Sequence, residues 1–211
     1  MRVKKRTKPE YWEAAKKFLR SKDSILKSVI DNTDDHKYLQ KTCTPFQTVA
    51  NAIIGQQISI AAADSITKKI RKACGIINKG NILKSPLTVL KKTGLSNQKV
   101  KYLKEFANHV QDNKNYFKNL ELMSDAEATE TLCKLYGVGV WTAEMYLIFQ
   151  LLRPNVLPLG DVGLINSINR IYNIRKPSLK KIIKLSKCWE PYRTVAVWYM
   201  WRVIDTDIVE Y

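Results

Sequence analysis

The 211-residue chain has no apolar run approaching the ~20 residues that a membrane-spanning helix requires, which excludes that class. Its basic beginning, Met1-Arg2-Val3-Lys4-Lys5-Arg6-Thr7-Lys8, is followed by no apolar segment and does not read as a secretory signal. Cysteine is sparse: Cys43, Cys74, Cys133 and Cys188 lie far apart and never form Cys-x-x-Cys. Reduced, mostly buried thiols in a cytosolic protein are the expectation. His36 and His109 have no partner at ligand spacing, so no catalytic metal is expected. Alternating strand patterns, internal repeats and low-complexity linkers are missing as well, which turns the reading away from sheets and solenoids.

Acidic side chains are also scarce, 19 against 36 basic ones, for a net charge of +17. Such an excess favours polyanions through counterion release, and DNA is the obvious partner. Charge alone does not choose among DNA, RNA and an anionic membrane surface. Lys outnumbers Arg 27 to 9, and Ile and Asn are plentiful, which an AT-rich genome would produce unaided. The first eight residues hold five positive charges and read as a frayed arm that either brushes phosphates or merely solvates the terminus.

The chain is long enough to bury a real core, as one domain or two small lobes. Helical spacing places Tyr11, Ala14, Ala15, Phe18 and Leu19 on one side of a first helix, and a second follows through Ile25, Leu26 and Ile30. Pro45 opens an element through Val49, Ile53 and Ile54 to Gly55, and Ile58 to Ala73 forms another. The latter ends on Lys68-Lys69-Ile70-Arg71-Lys72, a cationic C-terminus that suits the helix dipole. Pro86 to Lys92 is short and stopped by Gly94, and Ser96 caps a longer helix carrying Val100, Leu103, Phe106 and Val110. Later helices start at Asp161, at Pro177-Ser178 and after Pro191, the last rich in Trp. The expected fold class is all-α.

One stretch organises the rest. Ser124-Asp125-Ala126-Glu127 is a capping box opening a helix to about Leu135. Gly137 and Gly139 then break that helix by permitting backbone angles other residues resist, and Thr142 to Leu152 reads as a second, largely apolar helix. The N–H groups of such a hairpin, with the positive end of the second helix, suit a phosphate oxygen. A lone Gly-x-Gly usually marks only a turn. Here it is followed, 22 residues after Gly139, by Asp161 in Leu157-Pro158-Leu159-Gly160-Asp161-Val162-Gly163-Leu164.

Leu135 to Ala143 together with that loop resembles the helix-hairpin-helix, Gly/Pro-rich loop and catalytic Asp of the HhH-GPD superfamily of DNA glycosylases. The wording is most similar to the 3-methyladenine DNA glycosylase II family. Three further stretches agree: Pro45-Phe46 through Ile54-Gly55-Gln56-Gln57-Ile58-Ser59, Gly94-Leu95-Ser96 with Lys99, and Trp189-Glu190-Pro191-Tyr192-Arg193 through Trp198-Tyr199-Met200-Trp201-Arg202. The resemblance covers roughly residues 10 to 205. It implies one glycosylase unit over residues 1–211, built of two helical lobes with a central cleft. The lobes would be 42–152, with the hairpin at 124–150, and 1–41 plus 153–211.

The resemblance implies base excision DNA repair: a damaged base is flipped from the duplex, stacked on aromatic walls and cut from its sugar. Asp161 then stabilises the positive charge that develops on deoxyribose. The bland reading, that Asp161 caps the helix starting at Val162, is compatible with it. Trp141, Met145 and Trp201 fall where the family lines its base pocket, although any one Trp is equally a core residue. Some members have an aromatic residue where Met145 stands, which leaves lesion preference open. Gln56 and Gln57 fall where the family fills the gap left by the flipped base. Gln57 is the better wedge, since Gln56 could equally hold the turn, and both could be simple helix-end residues. Gly137, Val138, Gly139 and Thr142 would grip the DNA backbone, and Arg193 either touches phosphate or buttresses the cleft.

Bifunctional relatives place a lysine where Trp141 stands, so a monofunctional enzyme without lyase activity is expected. Relatives with an iron–sulfur cluster carry four closely spaced cysteines near the C-terminus. Only Cys188 lies there, so no cluster and no other cofactor is expected. The hairpin carbonyls of Cys133, Leu135 and Val138 could bind a monovalent cation, as in some relatives. The expected partner is double-stranded DNA containing damaged bases, met by a monomer in the cytoplasm at the nucleoid, or in a nucleus. Two other readings stay open: a glycosylase for deaminated or oxidised bases, and a helix-hairpin-helix module that binds DNA without chemistry.

Overall fold

The computed structural model describes residues 8–204. The basic arm therefore lies outside the described residues except for Lys8, whose ammonium pairs with Glu13 at 2.6 Å. In chain order the helices are α1 (Trp12–Lys22), α2 (Ser24–Asp31), α3 (Pro45–Gly55), α4 (Ile60–Cys74), α5 (Lys79–Lys84), α6 (Leu87–Lys92) and α7 (Asn97–Asp112). There follow α8 (Tyr116–Leu122), α9 (Asp125–Cys133), α10 (Val140–Phe149), α11 (Val162–Tyr172), α12 (Leu179–Ser186), a 3-10 turn (Lys187–Trp189) and α13 (Arg193–Ile204). No strand occurs among the described residues. None of their helices is long and apolar enough to cross a membrane.

The helices start where local chemistry directs them. Thr44 and Gln47 satisfy each other's backbone N–H ahead of α3, and Ser124 and Glu127 do the same ahead of α9. Single side-chain caps from Ser59, Ser96, Asp161 and Ser178 open α4, α7, α11 and α12. The sequence pattern passes over α5 and α8, which are short; Asn78 caps the first of them, and no side chain caps the second. Burial on α1 also differs from the expected side. Trp12 and Lys16 are buried while Ala14 is exposed, because Lys16 reaches carboxylates of Asp35 at 2.6 Å and Glu13 at 3.3 Å. All four cysteines are free thiols, and each is partly exposed rather than buried.

The chain divides into two compact units, one running to residue 42 and resuming at 152, the other spanning 43–151. The second unit is built on α3 and α10. From Thr142 to Phe149 every residue of α10 except Glu144 is buried, each large apolar side chain contributing about 1.5–3 kcal/mol. Phe46 of α3 stacks on Phe106 of α7 with centroids 4.8 Å apart.

The first unit packs α1, α2, α11, α12 and α13 around aromatic rings. Trp12 meets Trp198 edge-on at 5.2 Å, and Trp198 meets Tyr199 at 5.0 Å. A buried carboxylate ties this unit together. Asp23 caps α2 by accepting the N–H groups of Ile25 at 3.0 Å and Leu26 at 2.9 Å through Oδ1. Its Oδ2 accepts the Tyr172 hydroxyl at 2.5 Å and the Trp189 indole N–H at 2.8 Å. Burial, reinforced by that carboxylate, pushes the Tyr172 phenol well above its ordinary pKa. Asp23→Ala removes the cap and strands two buried donors, so it should destabilise the protein by roughly 3–5 kcal/mol. Urea denaturation compared with Asp23→Asn, which retains an acceptor, checks this: the Ala variant should lose clearly more.

Candidate active site

The hairpin follows α9 directly. Gly137 holds φ at +81°, a region that favours glycine. A Cβ there would stand 2.1 Å from Cγ of Tyr102. The turn is thus laid flat on an aromatic ring of α7, and only glycine allows it. Gly139 differs from the expectation, since its φ of −101° and ψ of 178° are extended backbone open to any residue. A Cβ at Gly139 would meet nothing within 4 Å, so it stands at open space. α10 then begins without a side-chain cap, leaving first-turn N–H groups without intrahelical acceptors. Tyr136 and Val140, on either side of the turn, are exposed. Lys101 lies 4.7 Å above the Tyr136 ring.

Gln56 and Gln57 separate cleanly. Gln56 is the C-cap of α3, and its Nε2 donates to the Gly137 carbonyl and to Thr142 Oγ1, each at 2.9 Å. Gln57 has a left-handed backbone, φ +58°, and an exposed side chain. The two carbonyls that end α3, those of Ile54 and Gln56, accept hydrogen bonds from Lys99 Nζ at 2.7 and 2.6 Å. Partial burial pulls that ammonium below the ordinary lysine pKa. Thr142 is buried, and its hydroxyl accepts the Gln56 hydrogen bond. Trp141 is half-buried, Met145 is buried in the core, and Val138 is buried beside the turn. Of the carbonyls considered for a cation, that of Leu135 accepts the Val138 N–H at 3.1 Å and so closes the turn. No group of His, Cys, Asp and Glu suited to a metal gathers among the described residues.

In the other unit Asp161 is the N-cap of α11 and is 8% exposed. Its Oδ1 accepts the Leu164 N–H at 2.7 Å and the Trp201 indole N–H at 2.8 Å. Gly163 makes this possible: a Cβ there would stand 3.0 Å from Asp161 Oδ1 and 3.1 and 3.2 Å from indole atoms of Trp201. Ser167 Oγ donates to the Gly163 and Met200 carbonyls at 2.8 and 2.6 Å, holding α11 against α13. The segment leading to the Asp161 loop is pinned by Thr194, whose hydroxyl donates to the Arg153 carbonyl at 2.6 Å and accepts the Val156 N–H at 2.8 Å. Arg193 is committed locally, its Nε to Asn155 at 3.0 Å and Nη2 to Glu190.

A capped aspartate behind a glycine loop and a glycine hairpin flush against a helix are features to compare with known proteins. Residues 50–191 match the model of the HhH-GPD superfamily base excision DNA repair protein family. The chain belongs to the HhH-GPD superfamily. Among curated HhH-GPD relatives, the alkylbase DNA glycosidase-like protein mag2 of Schizosaccharomyces pombe is 32% identical over 165 residues, 75% of this chain and 78% of that protein. A putative DNA-3-methyladenine glycosylase of Bacillus subtilis is 30% identical over 76% of this chain, which spans 59% of that relative's length. A solved structure of the Schizosaccharomyces pombe 3-methyladenine DNA glycosylase in complex with abasic DNA superimposes with a TM-score of 0.79 at 25% identity, covering 90% of this chain and 95% of that one. The DNA-3-methyladenine glycosidase of Bacillus halodurans gives a TM-score of 0.74 at 30% identity, covering 96% and 93%.

Within each unit the sequence reading leaves supports unassigned: Tyr102 and the role of Lys99 beneath the two turns of one unit, and Thr194 and the steric role of Gly163 in the other. Glycine beside an aspartate was the single visible signal, in Gly160-Asp161-Val162-Gly163. Gly163→Ala should displace the Asp161 carboxyl or the Trp201 indole by a few tenths of an ångström. Reaction rate should then fall about tenfold while urea stability changes little. Single-turnover kinetics beside a denaturation curve tests this, and an unchanged rate would mean that the carboxylate's placement is not critical.

Proposed function

We propose that the chain is a monofunctional DNA glycosylase that hydrolyses the N-glycosidic bond of alkylated purines such as 3-methyladenine and leaves an abasic site. The observation that carries this reading is the buried Asp161 carboxylate, fixed through Oδ1 by a backbone N–H and an indole N–H. As the glycosidic bond breaks, positive charge develops on the deoxyribose. A fixed carboxylate stabilises that charge without reorganising at the moment of reaction. Water then adds to the sugar carbon, its proton leaves, and the base departs with the bonding electrons.

Alkylation at purine nitrogens gives the base a positive charge, so it leaves as a neutral molecule with little acid help. The same charge favours electron-rich aromatic walls. Trp141 at the hairpin exit and Trp201 beside the carboxylate are the proposed aromatic contacts, with Met145 behind the former. Trp141 offers no amine, so no Schiff base forms with the sugar. The curated relatives named for 3-methyladenine and alkylbase excision support this substrate class over deaminated or oxidised bases.

DNA docking rests on the uncapped start of α10 and the Gly137–Gly139 turn, with Gln57 as the side chain that fills the space of the extruded base. Arg193 buttresses its own unit, given its two local partners. The partner is duplex DNA containing damaged bases, bound by a monomer at the nucleoid or in a nucleus. The neighbouring structure solved with abasic DNA supports such docking.

Asp161→Asn preserves the acceptor for both donors but removes the charge. It should bind duplex DNA carrying an abasic-site analogue within a few-fold of wild type, while base release from methylated DNA falls by roughly 10²–10³-fold. Borohydride reduction during turnover should trap no protein–DNA adduct. Chromatography of the released bases identifies the substrate, and an Asp161→Asn protein that excises normally would overturn the assignment.

A further inference from the structure

Two loops of the 43–151 unit are the proposed DNA contacts, the Gln56–Gln57 turn and the Gly137 hairpin. They are 81 residues apart in sequence, yet one short stretch of α7 lies beneath both. Ser96 caps α7 by accepting the Lys99 N–H, which fixes the helix's first turn. From that turn Lys99 spans the end of α3, its ammonium donating to both the Ile54 and Gln56 carbonyls. One turn later, Tyr102 lays its ring under Gly137 so closely that no Cβ could be accommodated. Positions 99 and 102 share a helix face, since side chains three residues apart are neighbours. Gln56 closes the circuit by donating to the Gly137 carbonyl and the Thr142 hydroxyl.

The geometry points to Lys99 as a positioning residue that registers the wedge turn against the hairpin. Gln57 sits in a left-handed conformation that side chains resist, at a cost of order 1 kcal/mol that the surroundings must offset. Lys99 supplies that constraint, because the Gln56 carbonyl it holds belongs to the peptide group that leads into Gln57. Gln56 transmits the same register to the hairpin through Thr142, and Tyr102 limits how far the hairpin can settle. Losing Lys99 should therefore leave the phosphate grip in place and free the wedge from it. This inference rests on the glycosylase reading and deepens it, by assigning a residue to extrusion of the base rather than to its excision.

The test uses the full chain and a duplex in which 2-aminopurine stands beside an alkylated purine on a 2′-fluoro sugar that resists cleavage; 2-aminopurine fluorescence rises when its neighbour no longer stacks on it. Wild type at saturation should raise the fluorescence. Lys99→Met should bind this duplex within about threefold of wild type, yet reach less than half of the wild-type amplitude at saturation. Lys99→Arg, which keeps a donor in place, should recover most of it. Thr142→Val preserves shape but removes one of Gln56's two acceptors, and should show the same loss with unaltered thermal stability; it decides the question if Lys99→Met does not fold.

Wild-type amplitude in a folded Lys99→Met or Thr142→Val protein would overturn the inference. So would a wild-type protein that binds the duplex without any fluorescence change. Failure of the glycosylase reading shows elsewhere, as a wild-type protein that releases no base from methylated DNA.

Discussion

The site depends on the fixing of one carboxylate. Asp161 sits at a helix start, where a backbone N–H needs an acceptor, and beside an indole N–H with the same need. Both are strong donors in a nearly dry place, and leaving either unpaired would cost about 1–3 kcal/mol. The carboxyl orientation is therefore set by the folding of α11 against α13 and not by the ligand. Ser167 of α11 holds those two helices in register through the Met200 carbonyl of α13, and Gly163 leaves the gap into which the indole and the carboxylate fit. In the proposed reaction, a carboxylate oriented by the fold needs no rearrangement when charge appears, which is the condition for large electrostatic stabilisation.

The other unit, in the proposed function, solves a different problem, that of presenting backbone to DNA. Backbone groups are fixed only if something rigid lies behind them. Behind the hairpin stands the Tyr102 ring, and behind the α3 terminus stands the Lys99 ammonium. Gln56, a polar residue at a helix end, spans the two. Its amide is directed inward and Gln57's side chain outward, because the backbone turns left-handed between them. Adjacent glutamines thus take opposite roles through a single dihedral change.

Much of the fold could be read from the chain. All-α character, the Ser124 capping box, the Ser96 cap and the helix beginning after Asp161 follow from local rules that tertiary packing did not override. Two helices, α5 and α8, are too short to carry a periodic pattern, and α8 lacks a side-chain cap as well. The expected side of α1 is buried at Ala15 and Leu19 but not at Ala14, and Trp12 and Lys16 join the core, the latter because a salt bridge to Asp35 lets its stem be buried. The second hairpin glycine misled in a similar way. Gly-x-Gly invites the same explanation for both positions, but only Gly137 has the left-handed backbone, while Gly139 stands at open space. Lys99 and Tyr102 were invisible as supports because their partners are carbonyls and a glycine far away in sequence.

A comparison inside the molecule sets a cap that builds the fold beside the one proposed to do chemistry. Asp23 and Asp161 are both buried, both begin a helix, and both accept an indole N–H. At Asp23 the donors divide between the oxygens: two N–H groups on Oδ1, an indole and a phenol on Oδ2. That carboxylate is consumed by the scaffold, and its neighbours come from α2, α11 and the 3-10 turn. At Asp161 the backbone and the indole both converge on Oδ1, and the residue leaves a loop whose Gly160 has open space around it. The same residue type at the same helix position thus carries no functional meaning alone. What sets the proposed site apart from the scaffold cap is the preceding backbone, whose Gly160 leaves open space where a side chain would stand.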